Sequence, residues 1–376
     1  MMTMQSDVTV PQGLLTADDL SDLRALTEIT GPFASVYIQI EPAEADALDR
    51  FDIRWRAARD RLLADGAPPV VVDAVGAAVA DKGRAQFGTV AVFAHEGGDP
   101  FVELLPPDQI INHTSWAALP VLAPVLVSRQ HQVPHVVVLV DRAGADLIAA
   151  VGDKELGHDE VVGESYPIER NAPGGWSQPR YQRRAITSWE ENAAQVAAEV
   201  DDLARRVEAR FVAVAGDVRM VAELRDALAP ETAELVREMA GTRHRDGSAD
   251  AQAEEVTRLV DTAAAEVTVQ VMRQIRDELG RHGNAVQGAG EVLAALAAGQ
   301  VAALATNANL EDERVAWFGP EPMQVGMDRV TLEDMGVGEP REGRLLDVAT
   351  RAALGSGASI HVVPNATGDM AALLRW

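Results

Sequence analysis

An α/β fold is what this sequence predicts, and two patterns carry the expectation. Short β-branched apolar runs alternate with longer stretches of helical periodicity along the chain, and paired glycines and prolines punctuate the junctions. With 376 residues, 47% of them hydrophobic, there is material for more than one core, so two or three domains are expected. Shifts in pattern place the segments at 1–130, 131–248 and 249–376.

In the first segment, Ala34–Ile40 is an alternating β-branched and aromatic run opened by Gly31-Pro32, a strand signal. Asp49–Ala64 reads as a helix carrying Arg54, Arg56, Arg59 and Arg61. Gly66-Ala67-Pro68-Pro69 breaks it, and Val70–Ala80 is a second helix. Gly88–Ala94 is a buried strand before a Gly97-Gly98 turn, and Leu105–Pro134 is a proline-punctuated connector with one short strand.

In the second segment, Val136–Val140 is an apolar strand, Asp141-Arg142-Ala143-Gly144 a turn, and Ala145–Val151 the hairpin partner. A helix is expected over Thr187–Arg210, because Trp189, Ala193, Val196, Val200, Leu203 and Val207 form one apolar stripe. Phe211–Ala215 is a strand and Val221–Leu228 a helix. In the third segment, Val256 to Leu279 mark a long amphipathic helix, Glu291–Ala298 a shorter one and Val301–Ala305 a strand. Ile360–Val363 and Ala371–Trp376 are closing apolar runs.

Composition narrows the function. There is no cysteine, which excludes disulfides, thiolate zinc sites and cysteine nucleophiles and fits a reducing interior. Met1–Gly13 has no basic region followed by an apolar run, and the longest apolar runs are of strand length. Neither a secretory signal nor a membrane span is expected, and the chain reads as cytoplasmic. A formal charge of -25 opposes nonspecific binding to nucleic acid, DNA included, so any RNA contact has to come from a local patch.

One such patch exists. From Arg170 to Trp189 there are four arginines and no acid. Gly174 and Gly175 stand between Pro173 and Pro179, so a mobile loop that begins and ends abruptly is expected. Arg180, Arg183 and Arg184 fall at i, i+3, i+4 and share a face if helical. Trp176 and Tyr181 add aromatic faces. Arginine forks with aromatics suit phosphates and unstacked bases. Spacing alone leaves a solvated basic loop equally open.

Other chemistry finds little support. No phosphate-binding P-loop occurs, and Gly288-Ala289-Gly290 lacks the rest of a dinucleotide fingerprint, so no cofactor is expected. His131 and His135 are separated by Pro134, which breaks the helix a metal pair requires; no metal site is expected. The remaining histidines are scattered singly and read as structural or exposed. Asp141, at a strand end, is where a nuclease carboxylate would sit, yet a turn aspartate is the better reading.

These residues together resemble the archaeo-eukaryotic release factor and Pelota family, and more closely its bacterial offshoot, the Balon-type ribosome hibernation factors. The resemblance covers nearly the whole chain. Residues 137–145, Val-Val-Leu-Val-Asp-Arg-Ala-Gly-Ala, look like the family's opening hairpin of the middle domain, and Val212–Gly216 its later strand and turn. Gly174-Gly175-Trp176-Ser177-Gln178-Pro179-Arg180-Tyr181-Gln182-Arg183 is similar to the release-factor tip, Gly-Gly-Gln-Ser-x-x-Arg-Phe-x-Arg. The third segment shares Gln287-Gly288, Glu291-Val292 and Gly299-Gln300-Val301 with the family's C-terminal domain, and Gly368–Trp376 resembles its closing signature.

The resemblance implies a three-domain release-factor/Pelota-like architecture with an RNase-H-like middle domain and a ribosomal-protein-like C-terminal α/β domain. It implies binding in the ribosomal A site, against 16S and 23S rRNA, with a translational GTPase, elongation factor Tu or another, as partner. Arg170, Gly174, Gly175, Trp176, Ser177, Gln178, Arg180, Tyr181, Arg183 and Arg184 would then enter the peptidyl transferase centre. Asp65, Gly66, Ala67, Pro68 and Pro69 would face the decoding centre. Two departures matter. Trp176 stands where release factors carry their glutamine, and the loop at residues 65–69 is short and apolar, with few groups to read base edges. The expectation is a non-catalytic factor that hibernates idle ribosomes; the alternatives are a rescue or release factor for stalled ribosomes, or a metal-dependent nuclease using Asp141.

Overall fold

The computed structural model describes residues 10–29, 31–41, 47–82, 88–107, 109–141, 144–152, 154–162, 178–241, 249–363 and 369–376. The fold is mixed α/β. It divides into two compact units, Met1–Gln130 with Val267–Trp376, and His131–Glu266.

The chain opens with α1 (Ser21–Glu28), β1 (Phe33–Ile40), α2 (Ala47–Ala64), α3 (Pro69–Lys82), β2 (Gly88–Ala94), β3 (Phe101–Leu105), β4 (His113–Ala117) and α4 (Ala123–Gln130). The strands form an antiparallel sheet in the order β3-β2-β1-β4. Side chains alternate between its faces. Ala34, Val36, Ile38 and Ile40 join Val90 and Val92 under α2 and α3, where Leu62, Val71, Val75 and Val79 complete a core. Phe33 and Tyr37 join Ala91, Phe93 and Leu105 on the opposite face. Both faces are buried, so β1 reads as a nearly continuous apolar run. The connector after Leu105 is more ordered than its sequence implies, since it holds both β4 and α4.

The second unit contains β5 (Pro134–Asp141), β6 (Gly144–Val151), β7 (Lys154–Val162), α5 (Gln178–Arg206), β8 (Phe211–Gly216), α6 (Val218–Ala227), α7 (Pro230–Leu235) and β9 (Val236–Glu238), and it takes in the start of α8 (Ala249–Gly280). The sheet runs β7-β6-β5-β8-β9, with β5 antiparallel to β6 and parallel to β8. Val136, Val138 and Val140 pack with α5 and α6 on one face. Val137, Phe211 and Ala213 pack with Val260 and Ala264 of α8 on the other. Gly216 is required where β8 ends: its φ is 153°, and a Cβ would lie 1.9 Å from the Val140 carbonyl oxygen.

The apolar stripe of α5 is buried at Ala193, Val196, Val200 and Leu203 as its periodicity predicts, but both ends of the helix differ from the expected Thr187–Arg210. It is already helical at Gln178, nine residues before Thr187, and includes Pro179, which the sequence pattern takes as a break. It stops at Arg206 in a Schellman cap, with Ala209 N–H donating to Ala204 O (2.8 Å) and Glu208 N–H to Arg205 O (3.3 Å). The left-handed residue of that cap is Glu208, φ 53°, where glycine is usual, so no stop signal stands in the sequence.

The first unit resumes with the rest of α8, β10 (Ala285–Gln287), α9 (Ala289–Ala297), β11 (Val301–Asn307), β12 (Val315–Phe318), β13 (Val325–Gly326), α10 (Arg329–Asp334), β14 (Arg341–Arg344), α11 (Leu345–Ser356), β15 (Ser359–Val363) and β16 (Ala371–Leu374). These make two sheets, β10-β16-β11-β15 and β13-β12-β14. Val292 and Leu296 of α9 and Val348 and Ala352 of α11 share one hydrophobic cluster with Phe33, Tyr37 and Phe93. Polar ties reinforce it: Gln130 exchanges hydrogen bonds with the backbone of Val362, and Arg351 donates to the carbonyls of Thr27, Pro320 and Glu321.

Candidate functional site

Arg170, Gly174, Gly175, Trp176 and Ser177 lie outside the described residues. Gln178 opens α5, and Arg180, Tyr181, Arg183 and Arg184 occupy its first two turns. The spacing of Arg180, Arg183 and Arg184 therefore falls on a helix and places the three positions on one face. There is no acidic residue in the first turn of α5. From Gln178 to Ala193, where the packed stripe begins, the helix rises about 22 Å.

The Asp65–Pro69 loop is a helix-to-helix connector whose polar groups serve its own geometry. α2 ends in a Schellman cap: Ala67 N–H donates to Leu62 O (2.9 Å) and Gly66 N–H to Leu63 O (3.2 Å). Gly66 takes the left-handed position at φ 91°. Ala67 and Leu62, the hydrophobic pair of that motif, are both buried. The Asp65 carboxylate pairs with Arg61 (2.8 Å), the Pro68 carbonyl accepts from Val71 and Val72, and Pro69 occupies the first position of α3. Little remains to contact a base edge.

Beside this loop lies an open depression of about 410 Å³, lined by Tyr37, Ile38, Arg54, Ala57, Ala58, Arg61, Asn112, His113 and Thr114. Arg54 pairs with Glu41, which also holds Arg50, and donates to the Gln39 carbonyl (3.3 Å). Hydrogen bonding by Arg54, then by Arg50, holds the Glu41 carboxyl below the usual range. His113 faces Tyr37 through the β1–β4 register. Burial, then the charges of Arg344 and Arg61, push its imidazole down to about 4, so it is neutral at pH 7. Sequence reasoning read His113 as structural or exposed and passed over Asn112 and Thr114. Only the long-range pairing of β4 with β1 brings them to α2.

Asp141 closes the β5–β6 hairpin, its Oδ1 accepting the Gly144 N–H at 3.0 Å. No group of three or more His, Asp or Glu side chains is placed to hold a metal ion among the described residues. His135 is buried, stacks on Phe211 at 4.9 Å and lies 2.9 Å through Nδ1 from the Val133 carbonyl oxygen. Asp347, buried in the first turn of α11, is raised to about 7 by burial, which outweighs Arg344 3.6 Å away. No helix among the described residues is long and apolar enough to cross a membrane.

Residues 134–281 match the model of bacterial archaeo-eukaryotic release factor family 2, so the second unit is release-factor-like in sequence. Two uncharacterised proteins of Mycobacterium tuberculosis, MT2704 of strain CDC 1551 / Oshkosh and Rv2629 of strain H37Rv, are each 27% identical over 371 residues, covering 94% of this chain and 96% of the relative. Among solved structures, Dom34 of S. cerevisiae, a translation termination-like factor, aligns over 99% of this chain and 97% of its own, with 11% identity and a TM-score of 0.37. Archaeoglobus fulgidus Pelota aligns over 100% and 99%, with 13% identity and a TM-score of 0.36.

Proposed function

We propose that this chain is a ribosome-binding factor of the release-factor type that occupies the A site without chemistry and holds idle ribosomes inactive. The match of residues 134–281 to a release-factor family model carries the reading. Within that segment Trp176 would stand where the resemblance puts the release factors' glutamine, in a stretch of arginines without acids. The segments 1–130, 131–248 and 249–376 would act as three domains, with Met1–Gln130 and Val267–Trp376 forming one compact unit. Arg170, Gly174, Gly175, Trp176, Ser177, Gln178, Arg180, Tyr181, Arg183 and Arg184 contact 23S rRNA at the peptidyl transferase centre. Residues 65–69 approach 16S rRNA at the decoding centre, and elongation factor Tu or another translational GTPase delivers the protein.

Peptide release needs a water oriented beside the ester, and a preorganised polar group there lowers the barrier through geometry and charge. Indole has one N–H donor and no acceptor, so Trp176 fills space and stacks but orients no water. The self-capped loop at residues 65–69 supports binding that ignores the codon.

Cosedimentation with ribosomes from growing and starved cells tests the reading: enrichment on idle ribosomes is expected. Purified protein should release no peptide from ribosomes carrying peptidyl-tRNA while blocking aminoacyl-tRNA entry. Preference for ribosomes stalled on mRNA would favour the rescue reading. A tenfold preference for stop codons, about 1.4 kcal/mol, or rapid peptide release would restore a catalytic release factor.

A further inference from the structure

We propose that Arg344 and Asp347 form a pH-sensitive latch: the guanidinium holds the loop joining β11 to β12 while Asp347 keeps its proton, and leaves that loop when Asp347 ionises. Asp347 is buried in the first turn of α11, and no hydrogen bond reaches its carboxyl among the described residues. Arg344 Nη1 stands 3.6 Å from its Oδ2, outside hydrogen-bond distance, and is itself buried without a hydrogen-bond partner among the described residues. The two groups are thus held just short of pairing. The rest of the guanidinium belongs to the loop: Nε donates to the Asp312 carbonyl (3.4 Å) and Nη2 to the Asn309 carbonyl (3.2 Å). The backbone of Arg344 is fixed, since it ends β14 opposite Val315 and the next residue, Leu345, donates its N–H to the Arg314 carbonyl (2.8 Å). Only the side chain can move.

Two carboxylates draw on that side chain. Hydrogen bonding by Arg314 holds the Asp312 carboxyl below the usual range, so its charge is constant near pH 7. Asp347 is the one that titrates, because burial raises it to about 7 against the pull of Arg344. While it is neutral, the guanidinium stays with the loop. Once it ionises, a buried carboxylate without a hydrogen bond is costly, and the donor facing it is the idle Nη1. Closing that gap draws the guanidinium off two carbonyls that it holds at long distances. The other ionisable groups packed around α11 are engaged elsewhere. Tyr37 of β1 stays protonated and donates to the Val121 carbonyl, and His113 of β4, lowered to about 4, is neutral throughout the range. Arg129 holds both Asp22 of α1 and Glu103 of β3, and Arg24 pairs with Glu28. Arg341 and Arg351 lie over the Phe318 ring, His361 of β15 meets Thr268 of α8, and Glu291 of α9 is exposed. The sign follows from the raised value. Stability from the retained proton is full below the ordinary carboxyl value of 3.8 and is lost as the pH rises to about 7.

The test uses the full chain, free in solution. Nuclear magnetic resonance on carboxyl-labelled aspartate should show Asp347, assigned through its backbone, titrating with a midpoint near about pH 7. Hydrogen exchange over residues 308–314, corrected for intrinsic rates, should be at least about fivefold faster at pH 8.5 than at pH 5.5. Asp347→Asn should keep the loop slow at both pH values, and Arg344→Met should make it fast at both. A carboxyl midpoint below about pH 5, loop exchange equal at both pH values, or the same pH response in Asp347→Asn overturns the proposal. Where the Asp347→Asn chain fails to fold, the midpoint and loop exchange of the unmodified chain decide. Neither measurement involves ribosomes, so the latch and the ribosome reading can fail independently.

Discussion

Two helices of this protein carry rows of arginine, and the sequence sets different numbers of carboxylates beside them. Along α2, Arg50 and Arg54 share the Glu41 carboxylate and Arg61 holds Asp65. Over the first turns of α5, and the residues before it from Arg170, the sequence offers arginines and no carboxylate until Glu190. A cation that already has a carboxylate gains less from phosphate than one without, because the anion has to replace an existing charge partner. The lesson is that anion affinity follows the carboxylates nearby more than the count of arginines.

That contrast can be broken by experiment, with the largest effect expected at α5. Replacing Arg180, Arg183 and Arg184 together with alanine should weaken ribosome binding on the order of a hundredfold. It should also lower the log-log salt slope by roughly 0.7 to 0.9 for each lost phosphate contact. Arg54→Ala with an equal effect would erase the distinction between the helices. Next, Trp176→Ala should reduce ribosome affinity by about 1 to 3 kcal/mol, the value of a stacked aromatic. Unchanged binding would remove the tip from the contact surface. Gly66→Ala should leave ribosome affinity intact but destabilise the fold by about 1 to 2 kcal/mol, read from urea melts, because alanine strains in the left-handed cap. Loss of ribosome binding with no loss of stability would instead mean that the Gly66 backbone packs directly on rRNA. Smallest is Arg61→Ala, whose exposed pair with Asp65 should contribute less than about 0.5 kcal/mol to stability.

Much of the fold is legible in local pattern. β1, β2 and β5 announce themselves as β-branched runs, and the buried stripe of α5 as a helical period. What escapes has physical reasons. α11 is buried from Leu345 to Leu354 on all sides, so it shows no amphipathic stripe. β7 is an exposed strand at the sheet edge bearing Lys154, Glu155, Asp159 and Glu160, charges that guard an edge and read as loop. β12, β13 and β14 are too short for a period to emerge. The tip is the converse: its chemistry is plain in residues 170–184, because composition and glycine spacing are local. The depression at His113 is invisible there, since Tyr37 and His113 meet only through strand pairing across the first segment.

The shared cluster of the first unit has a consequence for synthesis. Its two pieces, Met1–Gln130 and Val267–Trp376, are separated in the chain by the whole of the second unit. As the polypeptide emerges, the face of the first sheet bearing Phe33, Tyr37 and Phe93 waits for partners that include α9, α11 and Ala372 of β16, the last strand. The second unit can close as soon as the early turns of α8 have been made. The protein is therefore born in an order unlike its numbering, middle first and ends last. Until then α1 and α4 cover only part of that aromatic face, and the rest stays open through much of translation, the interval in which a chaperone or aggregation competes for it.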